Sequence, residues 1–269
     1  MLHEHKTTHR VRWIWGVSLC AAAAAAIAYL VCVTFAETAS DYLQAVPVGI
    51  AGFICTAVTA AVVCRRMPRY ARAWGTAAAT TAVAGFACYT VGDGMLAAEN
   101  GWSAVFATGV SFFALGHILL ATSAVCAAFE RGGRRRIKTD RLGAICAVAA
   151  VTGLAAIVVA VLVASPSVCA GGSTAIGTLS FFYLALFAVQ VAVFGVYGES
   201  HRTAAVTVAG ALTFLASDVI LITTGEMCAD TPGTIPTYMV MLTYWAGVAM
   251  IAVGPYTMFA RWAGWAREA

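Results

Sequence analysis

Residues 102–128 read WSAVFATGVSFFALGHILLATSAVCAA, without a formally charged side chain, and residues 131–141 then read RGGRRRIKTDR. A helix crosses the hydrocarbon core of a bilayer in about 20 residues, and Lys and Arg gather at its cytoplasmic end. The two segments are therefore read as one membrane span and its inner anchor. The same reading extends along the chain, giving apolar helices near 13–36, 44–64, 76–98, 102–128, 143–165, 174–197, 205–225 and 237–260. With 61% apolar and 10% charged residues, the composition excludes a soluble globular domain. The expected fold class is all-α: a polytopic membrane bundle of eight transmembrane helices, with residues 1–269 forming a single transmembrane domain.

The basic residues sort to one side. Lys6, Arg10 and Arg12 precede the first span, and Arg65, Arg66, Arg69 and Arg72 lie between the second and third. Arg131 to Arg141 follow the fourth, Arg202 follows the sixth, and Arg261 and Arg267 follow the eighth. The alternate connections carry Glu37, Asp41, Glu99, Glu226 and Asp230 instead. This separation places both termini in the cytoplasm, as in a multi-pass protein of the plasma membrane. The first apolar run is too long for a cleaved leader. The basic segment 131–141 is read as an anchor beside anionic lipid heads, and no nucleic-acid partner is expected. Nothing completes a ligand set around His3, His5 and His9, so no metal and no cofactor are expected. Cys169 and Cys228 fall in loops assigned to the outer face, where they either pair or stay free.

Three groups that can carry charge near neutral pH lie within the spans: Asp93, His117 and Asp218. An Asp at the centre of a membrane helix costs roughly 2.5 to 3.5 kcal/mol on insertion scales, so function is sought there. Ala84-Gly85, Tyr89, Gly92-Asp93 and Leu96 align at one constant spacing with Ala209-Gly210, Phe214, Ser217-Asp218 and Leu221. Read as a duplication, this makes a parallel repeat of four plus four helices that sets the two acids at matching depth. Read otherwise, it is a coincidence between Ala-rich helices.

Phe106, Gly109, Phe113 and His117 share one face of the fourth span. Counting helical rise puts His117 roughly 12 Å deeper than the acids, so contact with them does not follow. It either relays protons or braces its helix. Tyr89, one turn before Asp93, and Tyr244, at the height of the acids, either donate to a carboxylate or substrate or simply pack. Gln190 and Tyr183 carry polar tips that need partners in hydrocarbon.

These motifs together resemble the YhhN-type lysoplasmalogenases, a family of membrane proteins with eight expected helices. Val91-Gly92-Asp93-Gly94-Met95-Leu96 is similar to the family's Gly-Asp-x-x-Leu, and Phe106, Gly109, Phe113 and His117 keep its Phe-x-x-Gly-x-x-x-Phe-x-x-x-His. Gly210-Ala211, Phe214 and Ser217-Asp218 follow its Gly-Ala-x-x-Phe-x-x-Ser-Asp, and Thr243-Tyr244 open its last motif. The chain departs from the pattern at Val46-Pro47, where the family has Lys-Pro, at Leu120, where a Tyr is expected, and around Gly247 and Val248.

The resemblance implies an ether-lipid hydrolase whose partner is a membrane lysophospholipid. Its vinyl ether would be cleaved to a fatty aldehyde and a glycerophospho-alcohol. That chemistry needs an acid, and two carboxyls sharing one proton supply it without a metal. Asp93, Asp218 and His117 are the candidate catalytic residues; Tyr244, Ser217, Tyr89 and Phe113 are the candidate substrate-binding residues. Buried acids on parallel repeats also suit a proton-coupled transporter, and the missing Lys suits a non-catalytic lipid-binding relative.

Overall fold

The computed structural model describes residues 2–35, 41–65, 67, 69–98, 104–130, 201–223 and 234–265, with Phe187, Gln190, Val193 and Phe194. Six long helices carry this structure: α1 (Leu2–Phe35), α2 (Ala45–Cys64), α3 (Arg69–Ala98), α4 (Ala104–Glu130), α5 (His201–Thr223) and α6 (Thr234–Trp265). Among the described residues there is no strand. The span expected near 143–165, most of that near 174–197, the basic segment 131–141, and Cys169 with Cys228 lie outside the described residues.

Among the described residues, four segments are long and apolar enough to cross a membrane: His9–Phe35, Ala45–Cys64, Ala104–Glu130 and Thr237–Gly264. The helices that carry the two acids, α3 and α5, are not among these four. α3 is built largely from Ala, Gly and Thr, a composition that favours close helix contact over contact with lipid, and α5 mixes the same small residues with Val, Leu and Ile. Several helices also overrun the windows expected for them. α1 starts at Leu2 rather than 13, α3 at Arg69 rather than 76, and α6 ends at Trp265 rather than 260. An apolar window marks where hydrocarbon begins, but Lys and Arg are good helix formers and the backbone ladder continues through them.

The second span is not a uniform helix. A 3₁₀ turn at Asp41–Gln44 leads into an α-helical turn at Ala45–Val48, a π-helical segment at Gly49–Ile54 and a regular α-helix at Cys55–Cys64. The wide segment lies where α2 presses on α3. A Cβ on Gly52 would stand 2.7 Å from Phe86 Cδ1, so the Phe86 ring of α3 can seat against this backbone only where the residue is glycine.

Tight pairing of neighbours in sequence makes the rest of the scaffold, α3 along α4 and α5 along α6. In the first pair a Cβ on Gly116 would meet Tyr89 Cδ1 at 2.6 Å and the Gly85 carbonyl at 3.0 Å. In the second, a Cβ on Gly247 would meet Phe214 N at 2.7 Å and the Gly210 carbonyl at 2.9 Å. Ser123 Oγ on α4 adds a 2.6 Å hydrogen bond to the Ala78 carbonyl on α3.

Hydroxyls that face outward return to their own helix: Thr108, Ser111 and Thr122 each donate to the carbonyl four residues earlier. They therefore present no unmet donor to lipid. α1 joins the bundle through Trp15 Nε1, which donates to Thr59 Oγ1 at 3.1 Å, and through a hydrogen bond between Thr34 and Tyr238. Arg261 on α6 reaches Glu130 on α4 at 2.5 Å and ties the far end of the bundle.

Candidate functional site

Asp93 sits in the C-terminal third of α3, with only 5% of its surface exposed. Its carboxylate faces α6, where the Tyr244 hydroxyl donates to Oδ2 at 2.8 Å. The next residue of α6, Trp245, donates from Nε1 to the Gln44 carbonyl at 3.3 Å, and Gln44 Nε2 donates to the Asp93 backbone carbonyl at 3.5 Å. Three elements therefore close on this acid: α3, α6 and the start of α2.

Asp218, half-buried on α5, lies close enough for its charge to act on both Asp93 and Tyr89. The two acids therefore lie in the same part of the bundle, Asp93 buried and Asp218 half-buried. Ser217 is buried beside Asp218, and its hydroxyl donates to the Phe214 carbonyl of its own helix at 2.6 Å. Its lone pairs remain the part of the group that a substrate can address.

His117 is fully buried and joins the site through Tyr89 rather than by its own reach. The Tyr89 hydroxyl and His117 Nδ1 are 2.6 Å apart. Counting rise along the backbone sets the histidine well below the acids, yet side chains lean toward the N-terminus of their helix. On α3 that lean carries the Tyr89 ring down to the histidine. Gln190 Nε2 donates to the Tyr89 hydroxyl at 3.4 Å, and its amide also lies within hydrogen-bond reach of the His117 ring.

The two tyrosines are bridged by two phenylalanines. Phe113 has ring centroids 5.6 Å from Tyr89 and 6.3 Å from Tyr244; Phe214 stands 5.6 Å from the first and 4.9 Å from the second. Phe187 completes the wall at 4.5 Å from the His117 ring. These tilted and edge-to-face contacts fix each ring beside the buried Asp93 carboxylate.

All seven candidate residues therefore belong to one region: Asp93, Asp218, His117, Tyr244, Ser217, Tyr89 and Phe113. The sequence pointed to five of them directly by charge or phenol, to Phe113 by the helix face it shares with His117, and to Ser217 by its place next to Asp218. Gln44, Trp245, Phe187 and Gln190 join them. Of these only Gln190, an amide inside an apolar stretch, announces itself by composition.

A sequence profile described as the YhhN family matches residues 72–255. The chain belongs to the YhhN family. The match begins within α3 and ends within α6, so it takes in every described part of the site except Gln44. No curated protein and no solved structure matches the chain.

Proposed function

We propose that this YhhN-family protein is an integral membrane hydrolase that cleaves the vinyl ether of a lysoplasmalogen. The observation that carries this reading is the Tyr244 bond to buried Asp93 beside the Phe113 and Phe214 rings, with Asp218 on α5 close enough to interact electrostatically. A vinyl ether opens when a proton is added to its outer alkene carbon, because the ether oxygen then stabilises the cation as an oxocarbenium ion. One carboxyl of the pair delivers that proton.

The other carboxylate faces the cation and removes a proton from water as the water oxygen bonds to the carbon. The product is a hemiacetal. Its bond to the glycerol oxygen then breaks as the protonated carboxyl gives that oxygen a proton, while the other carboxylate takes the hemiacetal hydroxyl proton and the fatty aldehyde is released. One water has been added across the ether, and the acid pair ends with the protons it began with.

Tyr244 holds Asp93 in place for this transfer. Tyr89, Ser217 and Phe113 line the substrate path, His117 braces Tyr89, and the rings of Phe113 and Phe214 lie beside the developing cation. The alkenyl chain lies among the helices, and the phosphate head stays at the outer interface roughly 10 Å above the acids. Both termini face the cytoplasm of the plasma membrane in this arrangement. Protease access to a tagged terminus tests the orientation.

Purified protein in nanodiscs, supplied with a lysoplasmalogen, should release aldehyde, and Asp93→Asn and Asp218→Asn should each abolish release. Aldehyde formation untouched by both changes would overturn the acid-pair mechanism. Proton-driven solute uptake into vesicles without aldehyde would assign the chain to the carriers instead. Lipid binding with neither activity would make it a non-catalytic relative.

A further inference from the structure

Tyr244 and Trp245 are consecutive on α6, and each reaches a different neighbour. The Tyr244 hydroxyl stands 2.8 Å from Asp93 Oδ2, and Trp245 Nε1 donates to the Gln44 carbonyl at 3.3 Å. Gln44 Nε2 in turn donates to the Asp93 backbone carbonyl at 3.5 Å. These contacts close a circuit that leaves Asp93 by its carboxyl and returns to it by its backbone. It passes through α6 and the start of α2, and two adjacent residues of α6 complete it.

Two of the links run one way only. An indole N–H can only donate and a main-chain carbonyl can only accept, so Trp245 is the donor to Gln44 whatever the protonation of the acids. The same holds for the amide nitrogen of Gln44 and the Asp93 carbonyl. Each of these bonds is longer than the usual range of about 2.7 to 3.2 Å and is weak alone. Closure gives them force, because Gln44 cannot shift without losing both. Trp245 is itself held, edge-on to Tyr29 of α1 with 5.5 Å between ring centroids. A phenylalanine would keep most of that ring contact and would lack only the N–H.

We propose that Trp245 is a positioning residue for Asp93: by holding Gln44 it fixes the backbone of the acid, while its neighbour Tyr244 fixes the carboxyl. A carboxyl held at one oxygen alone can still pivot about its side-chain bonds as the backbone moves. Held at the main chain as well, it keeps one place relative to α6. Proton transfer depends on such placement, since an error of about 1 Å can cost roughly 10²-fold in rate. The circuit contains no Lys or Arg, so it places the acid without neutralising it. The kinetic consequence rests on the hydrolase reading; the hold on Asp93 does not.

The test reads Asp93 directly. Infrared spectra of the purified protein in nanodiscs, with the Asp93 carboxyl band assigned by its loss in Asp93→Asn, should show that band displaced in Trp245→Phe and in Gln44→Leu. These variants cut the circuit at different links, and thermal unfolding checks that both are folded. In the aldehyde assay each should lower kcat about tenfold with KM unchanged. The double variant should lose no more than either alone, because a circuit once opened cannot be opened again. An undisplaced band in both variants, losses that multiply in the double variant, or a loss confined to Trp245→Phe, which would mark packing, overturns the proposal. A displaced band in a protein that releases no aldehyde upholds the positioning role and removes the hydrolase reading alone.

Discussion

The hydroxyl of Tyr244 donates to Oδ2 of Asp93 at 2.8 Å, joining residues 151 positions apart. A phenol is a neutral donor, so it orients the carboxyl without pairing off its charge as an Arg or Lys would. Removing it should misplace the acid while leaving its chemistry intact. Hydrogen bonds to charged groups contribute about 1.5 to 3 kcal/mol, so Tyr244→Phe should lower kcat for aldehyde release roughly ten- to a hundredfold. Steady-state kinetics on the purified variant measure it, and wild-type kcat would count against a role for this contact.

The acids themselves should matter more. Positioned proton transfer contributes about 10²- to 10⁴-fold, and Asn keeps the shape of Asp without its proton or charge. Asp93→Asn and Asp218→Asn should each lower turnover by that order while the protein folds and inserts normally. If one variant kept near-wild-type turnover, the reaction would need a single acid and not a pair.

Glycine at 247 is a spacer between α5 and α6. A Cβ there would come within 2.7 Å of the Phe214 backbone nitrogen, which no side-chain rotation can relieve. Gly247→Ala should destabilise the protein by about 1 to 3 kcal/mol, the usual range for overpacking. Gly16, around which a Cβ would meet nothing within 4 Å, serves as the control. Thermal unfolding of both variants should separate them, with Gly16→Ala neutral or slightly stabilising.

At the other end of the bundle, the Glu130 side chain is wholly buried and its Oε2 lies 2.5 Å from Arg261. Breaking such a pair from one side leaves a charge uncompensated and costs about 3 to 5 kcal/mol. Arg261→Met should therefore be destabilising, and the double variant with Glu130→Met should recover most of the loss. A double-mutant cycle on unfolding midpoints reads the coupling directly. Additive effects would show the two groups to be independent.

The acids and the histidine could be read from the chain because a titratable side chain inside an apolar stretch has few neutral explanations. The close helix pairing rests on glycines at helical spacing, such as Gly109 and Gly116, which composition alone does not distinguish from the many others in the chain. The link from Tyr89 to His117 was harder to foresee. Counting residues along a helix locates Cα atoms, while a tyrosine carries its oxygen several ångströms toward the start of its own helix. Gln44 gave no signal, since a polar residue at the edge of a span is ordinary. The same holds for the widened turn at Gly49–Ile54, whose Gly, Ile, Ala and Phe would equally suit a regular helix.

That widened turn makes helix winding part of the site. Successive residues of an α-helix advance by about 100°, and a π-helical insertion absorbs one residue within a turn. Deleting a single residue there would return the segment to ordinary winding with the flanking residues still facing the same way, so Gln44 would keep the Asp93 carbonyl and Trp245 its acceptor. Tightening the turn with all its residues retained would instead rotate everything before it by about 100°, carrying Gln44 away from both partners while every neighbouring side chain stayed present.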